Sequence, residues 1–196
     1  MIAIVDYKAG NLTSVKKALD FVGADSLVTS NPEDVARAEK IVLPGVGHFS
    51  ATRILGELGL QSAVETAIQR EKPFLGICVG MQWMFESSAE APETHGLGLF
   101  AGQCQHFPND VKSPHVGWNT LRLRNSSHLL QGISPDSCVY FTHSYRAPIV
   151  EGTVAECEYG GAFSAVVERG QLFGVQFHPE KSGPVGLKIL ENFCSL

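Results

Sequence analysis

Three short segments of this 196-residue chain carry residue types that can do chemistry together. The first is Gly76-Ile-Cys78-Val-Gly80-Met-Gln82. It sets a thiol between two glycines, after the apolar run Pro73–Ile77 and before a helical pattern expected to continue through Trp83, Met84 and Phe85. This is the strand–nucleophile–helix elbow, with cysteine where hydrolases often carry serine. The turn is sharp, so a side chain at either flanking glycine would crowd the neighbouring strand or helix. The start of a helix also favours a thiolate and a developing oxyanion through its free N–H groups. Taken without its context, the segment is equally a glycine-lined turn holding a buried cysteine.

The second segment is His178-Pro179-Glu180, after the apolar run Leu172–Phe177. Pro179 keeps His178 out of helical geometry. If the chain stays extended, residues two apart face the same side, and Glu180 can accept a hydrogen bond from one imidazole nitrogen. The other nitrogen is then free to take a proton from a thiol. The third segment is Pro44-Gly45-Val46-Gly47, which ends the strand preceding the one that carries Cys78. Adjacent parallel strands would bring both ends to one rim, where doubly wound sheets bind ligands. Backbone N–H groups of Gly45 and Val46 could form half of an oxyanion hole, with the Val79 N–H as the other half. Valine between two glycines also suggests a peptide that can reorient, and hence a regulated site.

The elements that must position these segments follow from patterning. Ile2–Val5 and Lys40–Leu43 are short apolar runs suited to buried strands, and Ser26–Thr29 is a further strand candidate. Between them, Leu12, Val15, Ala18, Leu19 and Val22 recur at helical spacing and stop at Gly23, and Asn31-Pro32 has the form of a helix cap. Val64, Ala67 and Ile68 continue the helical pattern. From about residue 96 the texture becomes strand-rich: Leu97–Phe107, Val116–Leu123, Cys138–Tyr145, Ala162–Glu168 and Leu172–Phe177, with Arg169-Gly170 as a hairpin turn. A last helix after Ser182-Gly-Pro184 carries Val185, Leu187, Ile189, Leu190 and Phe193. The expected fold is α/β: one domain over residues 1–196, a doubly wound, mostly parallel sheet with helices on both faces and antiparallel additions in the C-terminal half.

Composition narrows the function classes. Hydrophobic residues are 44% and charged residues 18% of the chain, which suits a packed core and not disorder. Fifteen Lys plus Arg against twenty Asp plus Glu, with no basic block, argue against nucleic acid as a partner. No run is long and apolar enough to span a bilayer, and no basic region precedes the first apolar stretch. Five cysteines, widely spaced and without a Cys-x-x-Cys, suggest neither a disulfide framework nor a zinc site, and fit a reducing cytoplasm.

Taken together, the cysteine elbow, the His-Pro-Glu segment and the Pro-Gly loop resemble the triad-type, class I glutamine amidotransferase family, in the order Cys, His, Glu and across essentially the whole chain. A narrower resemblance, to the glutaminase subunits of imidazole glycerol phosphate synthases, rests on five blocks. These are Asp6-Tyr7-x-x-Gly10-Asn11-Leu12 with Ser14, Pro44-Gly-Val-Gly47, Gly76–Gln82, His115-Val-Gly-Trp-Asn119 and His143-Ser-Tyr145. Two departures are Lys8-Ala9, where Gly-x is more usual, and His48, where a small residue is common. The resemblance implies a Cys78–His178–Glu180 triad that hydrolyses glutamine through a thioester, with no metal and no organic cofactor. Gln82 and Tyr145 would place the substrate, helped by Gly47 and Ser144. It also implies a heterodimer with a (β/α)8-barrel cyclase, met through Asn11, Trp118, Asn119 and Lys181. Other amidotransferase glutaminases, a binding subunit without turnover, and a cysteine peptidase of the same elbow type remain open at this point.

Overall fold

The computed structural model describes residues 1–196. Its first strand, Ile2–Val5 (β1), is buried at all four positions, as a strand covered on both faces must be. Helix Leu12–Phe21 (α1) turns Val15, Ala18 and Leu19 inward, and the chain leaves it through Gly23 at φ +77°. Strand Ser26–Thr29 (β2) leads to helix Pro32–Arg37 (α2). There the Asn31 side chain accepts the Glu33 N–H at 3.0 Å, and Pro32 occupies the first turn. Strand Lys40–Gly45 (β3), helices Arg53–Glu57 (α3) and Leu60–Gln69 (α4), and strand Phe74–Cys78 (β4) complete the first half of the alternation. A single helical turn, Val79–Gln82 (α5), follows Cys78.

The remaining strands are Phe85–Ser88 (β5), Phe100–His106 (β6), His115–Thr120 (β7), Arg122–Leu123 (β8), Cys138–His143 (β9), Tyr145–Arg146 (β10), Thr153–Glu158 (β11), Ala162–Arg169 (β12) and Leu172–Val175 (β13). Helix Gly183–Ser195 (α6) closes the chain, burying Ile189, Leu190 and Phe193. The main sheet has the order β2-β1-β3-β4-β13-β12-β11-β8. Its first five strands are parallel and its last three antiparallel. Strands β10, β6 and β5 form a second sheet, and β7 pairs with β9 as a two-stranded ribbon.

The fold is therefore α/β with a mostly parallel sheet and antiparallel additions, as the patterning implies. The path from β1 to β2 and back across β1 to β3 reverses direction. Right-handed crossovers then put α1 and α2 on opposite faces. The crevice at that reversal lies at the carboxyl ends of β1 and β3, next to the end of β4, so the rim that holds Cys78 is fixed by topology.

Four expectations are corrected. The helical pattern through Trp83, Met84 and Phe85 stops at Gln82, because the following backbone is claimed by residues 97–100. Leu97 N–H donates to Trp83 O, and Leu99 N–H to Met84 O. Three buried apolar residues in a row fit helix or strand equally in sequence. Strands Phe85–Ser88 and Thr153–Glu158 are present where the patterning gives no strand. Helix Arg53–Glu57, only five residues long, is likewise additional. The stretch after His178 is also not extended: Pro179–Lys181 is a turn of 3-10 helix.

Glycine is required where strand and elbow touch. A Cβ on Gly80 would lie 2.0 Å from the Leu43 carbonyl oxygen, and one on Gly76 would lie 2.5 Å from the Gly80 oxygen. Both neighbours are backbone and cannot yield. Gly170, at φ +59° in the β12–β13 turn, has open space around it. Gly80→Ala is therefore expected to cost more than about 3 kcal/mol or to prevent folding, and Gly170→Ala only about 1 kcal/mol of backbone strain. Urea unfolding of the two variants measures the contrast, and equal losses would contradict this account of the elbow.

Candidate active site

Cys78 terminates β4 in the centre of the rim, with β3 on one side and β13 on the other. Its backbone sits at φ +55°, ψ −110°, a strained conformation for any residue with a side chain. The close approach of Gly76 and Gly80 enforces that turn, and it presents a thiol that is only 4% exposed. Gly45 is the register partner of Cys78 across the β3–β4 pair. On the opposite side, Val175 pairs with Ile77, and the chain runs three residues further to His178. The Pro-Gly loop and the histidine thus flank the cysteine from two neighbouring strands.

His178 Nδ1 lies 2.9 Å from Glu180 Oε1, and both side chains are 1% exposed. The contact forms through the 3-10 turn and not through an extended chain. His178 itself is extended, and its carbonyl is held by the Ser182 hydroxyl at 2.6 Å and the Lys181 N–H at 3.0 Å. Burial alone would lower the proton affinity of His178. The Cys78 sulfur beside it and the Glu180 carboxylate more than offset that, so its pKa is raised. His178 Nε2 is buried with no hydrogen-bond partner.

A small cavity of about 140 Å³ opens over the sulfur. It is lined by Val46 and Gly47 from the Pro-Gly loop, Cys78, Val79 and Gln82 from the elbow, and Ser144 and Tyr145. These seven are all expected site residues. Gly45 does not line it: a Cβ there would lie 2.7 Å from both Gly80 N and the Tyr7 hydroxyl and 2.8 Å from Val79 Cβ, so only glycine fits. Glu90, Thr142 and His143 complete the wall and were not expected there. Glu90 is the carboxylate of the cavity, and its Oε2 accepts the Phe49 N–H at 2.7 Å. No motif surrounds it in sequence.

A second residue missed in the sequence is Gln176, which is fully buried. Its Oε1 accepts from Gln82 Nε2 at 3.1 Å, and its Nε2 lies 3.7 Å from Cys78 Sγ. Gln82 Nε2 also donates to the Tyr145 carbonyl at 2.8 Å. With both of its hydrogens committed, Gln82 can offer the cavity only its carbonyl oxygen, an acceptor suited to an N–H donor of a ligand. The other cysteines lack this setting. Burial pushes Cys157 up to about 12 and raises Cys104 further, so both thiols stay protonated. No group of three or more His, Cys, Asp or Glu side chains is arranged to hold a metal ion.

The residues proposed for partner contact lie elsewhere on the surface. Trp118 is 58% exposed and edge-on to Tyr140, and Lys181 Nζ stands 6.0 Å over the same Tyr140 ring. Asn11 precedes α1 at the rim, with no capping bond from its side chain. Asn119, by contrast, turns its amide inward to His115 and the Glu158 carbonyl. His48 is exposed, bonds Ser50 and caps the turn that follows, so it stays off the cavity wall. Lys8 takes φ +69°, a backbone conformation that favours glycine.

The family model for class-I glutamine amidotransferase matches residues 3–195. The chain belongs to the class-I glutamine amidotransferase family. It is 46% identical to imidazole glycerol phosphate synthase subunit HisH of Caldanaerobacter subterraneus, over 98% of this chain and 97% of that protein. It is also 46% identical to the HisH subunit of Methanosarcina acetivorans, over 100% and 98%. Solved structures share the fold at lower identity. A crystal structure of a glutamine amidotransferase aligns with a TM-score of 0.78 at 17% identity over 100% of both chains. PurLQS from Thermotoga maritima aligns with a TM-score of 0.72 at 20% identity, over 99% of this chain and 97% of that one.

This class-I amidotransferase also buries two further histidines with the opposite electrostatic character. Burial pushes His115 down to about 4 and His143 down to about 3. The Tyr145 carbonyl favours the charged form of His143, but burial and the charges of His115, His178 and Arg146 oppose it. Tyr159, Phe141, Phe107 and Phe163 pack around His115 and supply no counter-charge. Both rings are neutral when folded and bind protons when unfolded below about pH 6.5, so acid favours the unfolded chain. His178, with its raised pKa, has the opposite sign: its contribution is present below about pH 6.5 and is lost as pH rises. The unfolding free energy is expected to fall by on the order of 1 kcal/mol per neutral ring between pH 6.5 and 5. The C2 protons of both rings should not titrate above pH 5, and a midpoint near 6.5 at either would contradict this.

Proposed function

We infer that this chain is the glutaminase subunit of an imidazole glycerol phosphate synthase and works through Cys78, His178 and Glu180. The observation that carries the reading is the buried His178–Glu180 pair beside a strained, cavity-facing cysteine. The whole-length likeness to HisH subunits supports the choice of synthase. A free thiol has a pKa of about 8.5, so a base is needed at neutral pH. His178 takes the proton from Cys78, and Glu180 orients and stabilises the imidazolium. The sulfur attacks the side-chain carboxamide of glutamine, and the oxyanion is met by backbone N–H groups of Val79 and the Gly45–Val46 segment. His178 then protonates the leaving ammonia. Water activated by His178 cleaves the glutamyl thioester and releases glutamate.

The cavity chemistry supports an amino-acid substrate. Gln82 offers an acceptor, Glu90 a carboxylate suited to an α-ammonium, and Gly47, Ser144 and Tyr145 complete the walls. Ammonia released into neutral water becomes ammonium, which is not a nucleophile. The reading therefore includes delivery to a second subunit, a HisF-type (β/α)8 cyclase. That subunit makes imidazole glycerol phosphate and AICAR in histidine biosynthesis in the cytoplasm. Asn11, Trp118 and Lys181 are its proposed contacts, with Asn119 behind them.

The Pro-Gly loop supports regulation by that partner. Gly45 is clamped, whereas Gly47, at φ +92°, has open space around it. A reorientation is therefore easiest at the Val46–Gly47 peptide, where it would withdraw the Val46 carbonyl and bring the Gly47 N–H beside that of Val46. In the resting subunit a carbonyl would face the oxyanion position, and the cyclase with its ligand would favour the turned form. Glutamine turnover is expected to be negligible in the isolated chain and to rise on the order of 100-fold with cyclase and its nucleotide ligand. Full activity of the lone chain would remove the case for a reorientation. With purified cyclase, Cys78→Ala is expected to abolish glutamine-dependent synthesis and to leave ammonia-dependent synthesis intact. Glutamine-dependent synthesis surviving in Cys78→Ala would end the catalytic reading, and failure to pair with the cyclase would end the choice of synthase.

A further inference from the structure

The cavity wall is tied to strand β7 by hydrogen bonds whose direction the structure fixes. The Asn119 amide is oriented by two backbone contacts. Its Oδ1 accepts the Thr120 N–H at 2.8 Å, and its Nδ2 donates to the Glu158 carbonyl at 3.1 Å. The second Nδ2 hydrogen therefore points to His115 Nε2, 3.3 Å away. An imidazole that accepts at Nε2 carries its proton on Nδ1. His115 Nδ1 is 3.0 Å from His143 Nε2, so His143 accepts there and carries its own proton on Nδ1 as well. His143 Nδ1 is 2.9 Å from the Tyr145 carbonyl oxygen, the same oxygen that accepts from Gln82 Nε2.

The rings have little freedom to do otherwise. His115 and His143 are direct register partners across β7 and β9. His115 stacks on Tyr159 at 4.0 Å and on Phe141 at 4.9 Å, so both of its faces are covered. Protonating either ring would set two N–H groups against each other and break the series. Burial keeps both rings neutral near pH 7, consistent with that requirement. On the opposite face of β7, Val116 and Trp118 are more than half exposed.

We propose that His143, locked by His115, is a positioning residue for the glutamine pocket. Its Nδ1–H holds the Tyr145 carbonyl, and that carbonyl aims the Gln82 amide at the substrate. The series starts on β7, the strand whose other face carries Val116 and Trp118. The substrate identity in this proposal rests on the glutaminase reading above, but the hydrogen-bond sense does not.

Two isosteres separate positioning from packing. The Nδ2 of asparagine can stand where His143 Nδ1 stands, and the Nε2 of glutamine where His143 Nε2 stands. His143→Asn should keep the KM for glutamine, measured with the cyclase present, within about threefold of the parent. His143→Gln should raise KM by about tenfold, more than it lowers kcat. Thermal unfolding checks that each variant is folded. If His143→Gln does not fold, His115→Asn, which retains a donor to His143, against His115→Leu, which removes it, carries the same contrast. Independently of activity, long-range proton–nitrogen NMR of histidine-labelled chain should find both rings in the Nδ1–H form at pH 7. Either ring in the Nε2–H or doubly protonated form would overturn the relay, as would equal KM changes in the two isosteres. A parent protein that turns over no glutamine would instead overturn the functional reading and leave the NMR test standing.

Discussion

The site depends on one steric fact: three backbone segments meet at the end of β4 with no room for a side chain between them. Gly80 abuts the Leu43 carbonyl, Gly76 abuts Gly80, and Gly45 abuts both Gly80 N and Val79. Only a chain with glycine at all three places can bring β3, β4 and α5 this close. The consequence is the left-handed φ at Cys78, which turns the thiol out of the sheet and into the cavity. Strain of this kind costs roughly 1–3 kcal/mol and persists only where the surroundings over-determine it. Here they do: the elbow is flanked on both sides by hydrogen-bonded parallel strands.

The same central position of β4 distributes the chemical tasks between its neighbours. Strand β3 ends in the Pro-Gly loop, and β13 runs on to His178 and Glu180. An imidazole and a glycine-rich loop thus face one sulfur from opposite sides, though about a hundred residues separate the cysteine from the histidine. Around this sulfur the protein holds imidazoles in two protonation regimes. His178 has the Cys78 sulfur and a buried carboxylate as partners, and together they favour the cation. His143 has a carbonyl and a neutral ring, which do not outweigh burial. The partner decides the sign, since both rings are buried.

How much of this was legible in the sequence follows from what each feature depends on. The elbow was readable because its glycines and cysteine are consecutive and their constraint is local. The His-Pro-Glu contact was readable for the right pair but with the wrong geometry: proline bars helix at His178 but does not forbid the tight turn that starts with itself. Glu90 and Gln176 were not readable. Each gains its meaning from partners far along the chain: Phe49 for one, Cys78 and Gln82 for the other. The same holds for the fold. Buried parallel strands announce themselves as short apolar runs, whereas Thr153–Glu158 mixes four buried residues with a half-buried Glu156 and an exposed Glu158 and has no clean period.

The two kinds of constraint, steric at the elbow and directional in the hydrogen bonds, have different tolerances. A glycine contact fails abruptly when a single Cβ is added, so the place of Cys78 is fixed for as long as the chain is folded. A series of N–H donors can shift by tenths of an ångström and still hold its sense, because each acceptor has a broad angular range. The cysteine is therefore rigid, while the wall formed by Gln82, Tyr145 and His143 can be adjusted through β7. The loop on the other side behaves alike in part: the space a side chain would take is filled at Gly45 and open at Gly47. The proposed regulation would then act through the wall or through the Val46–Gly47 side of the loop, since the elbow holds the sulfur in place.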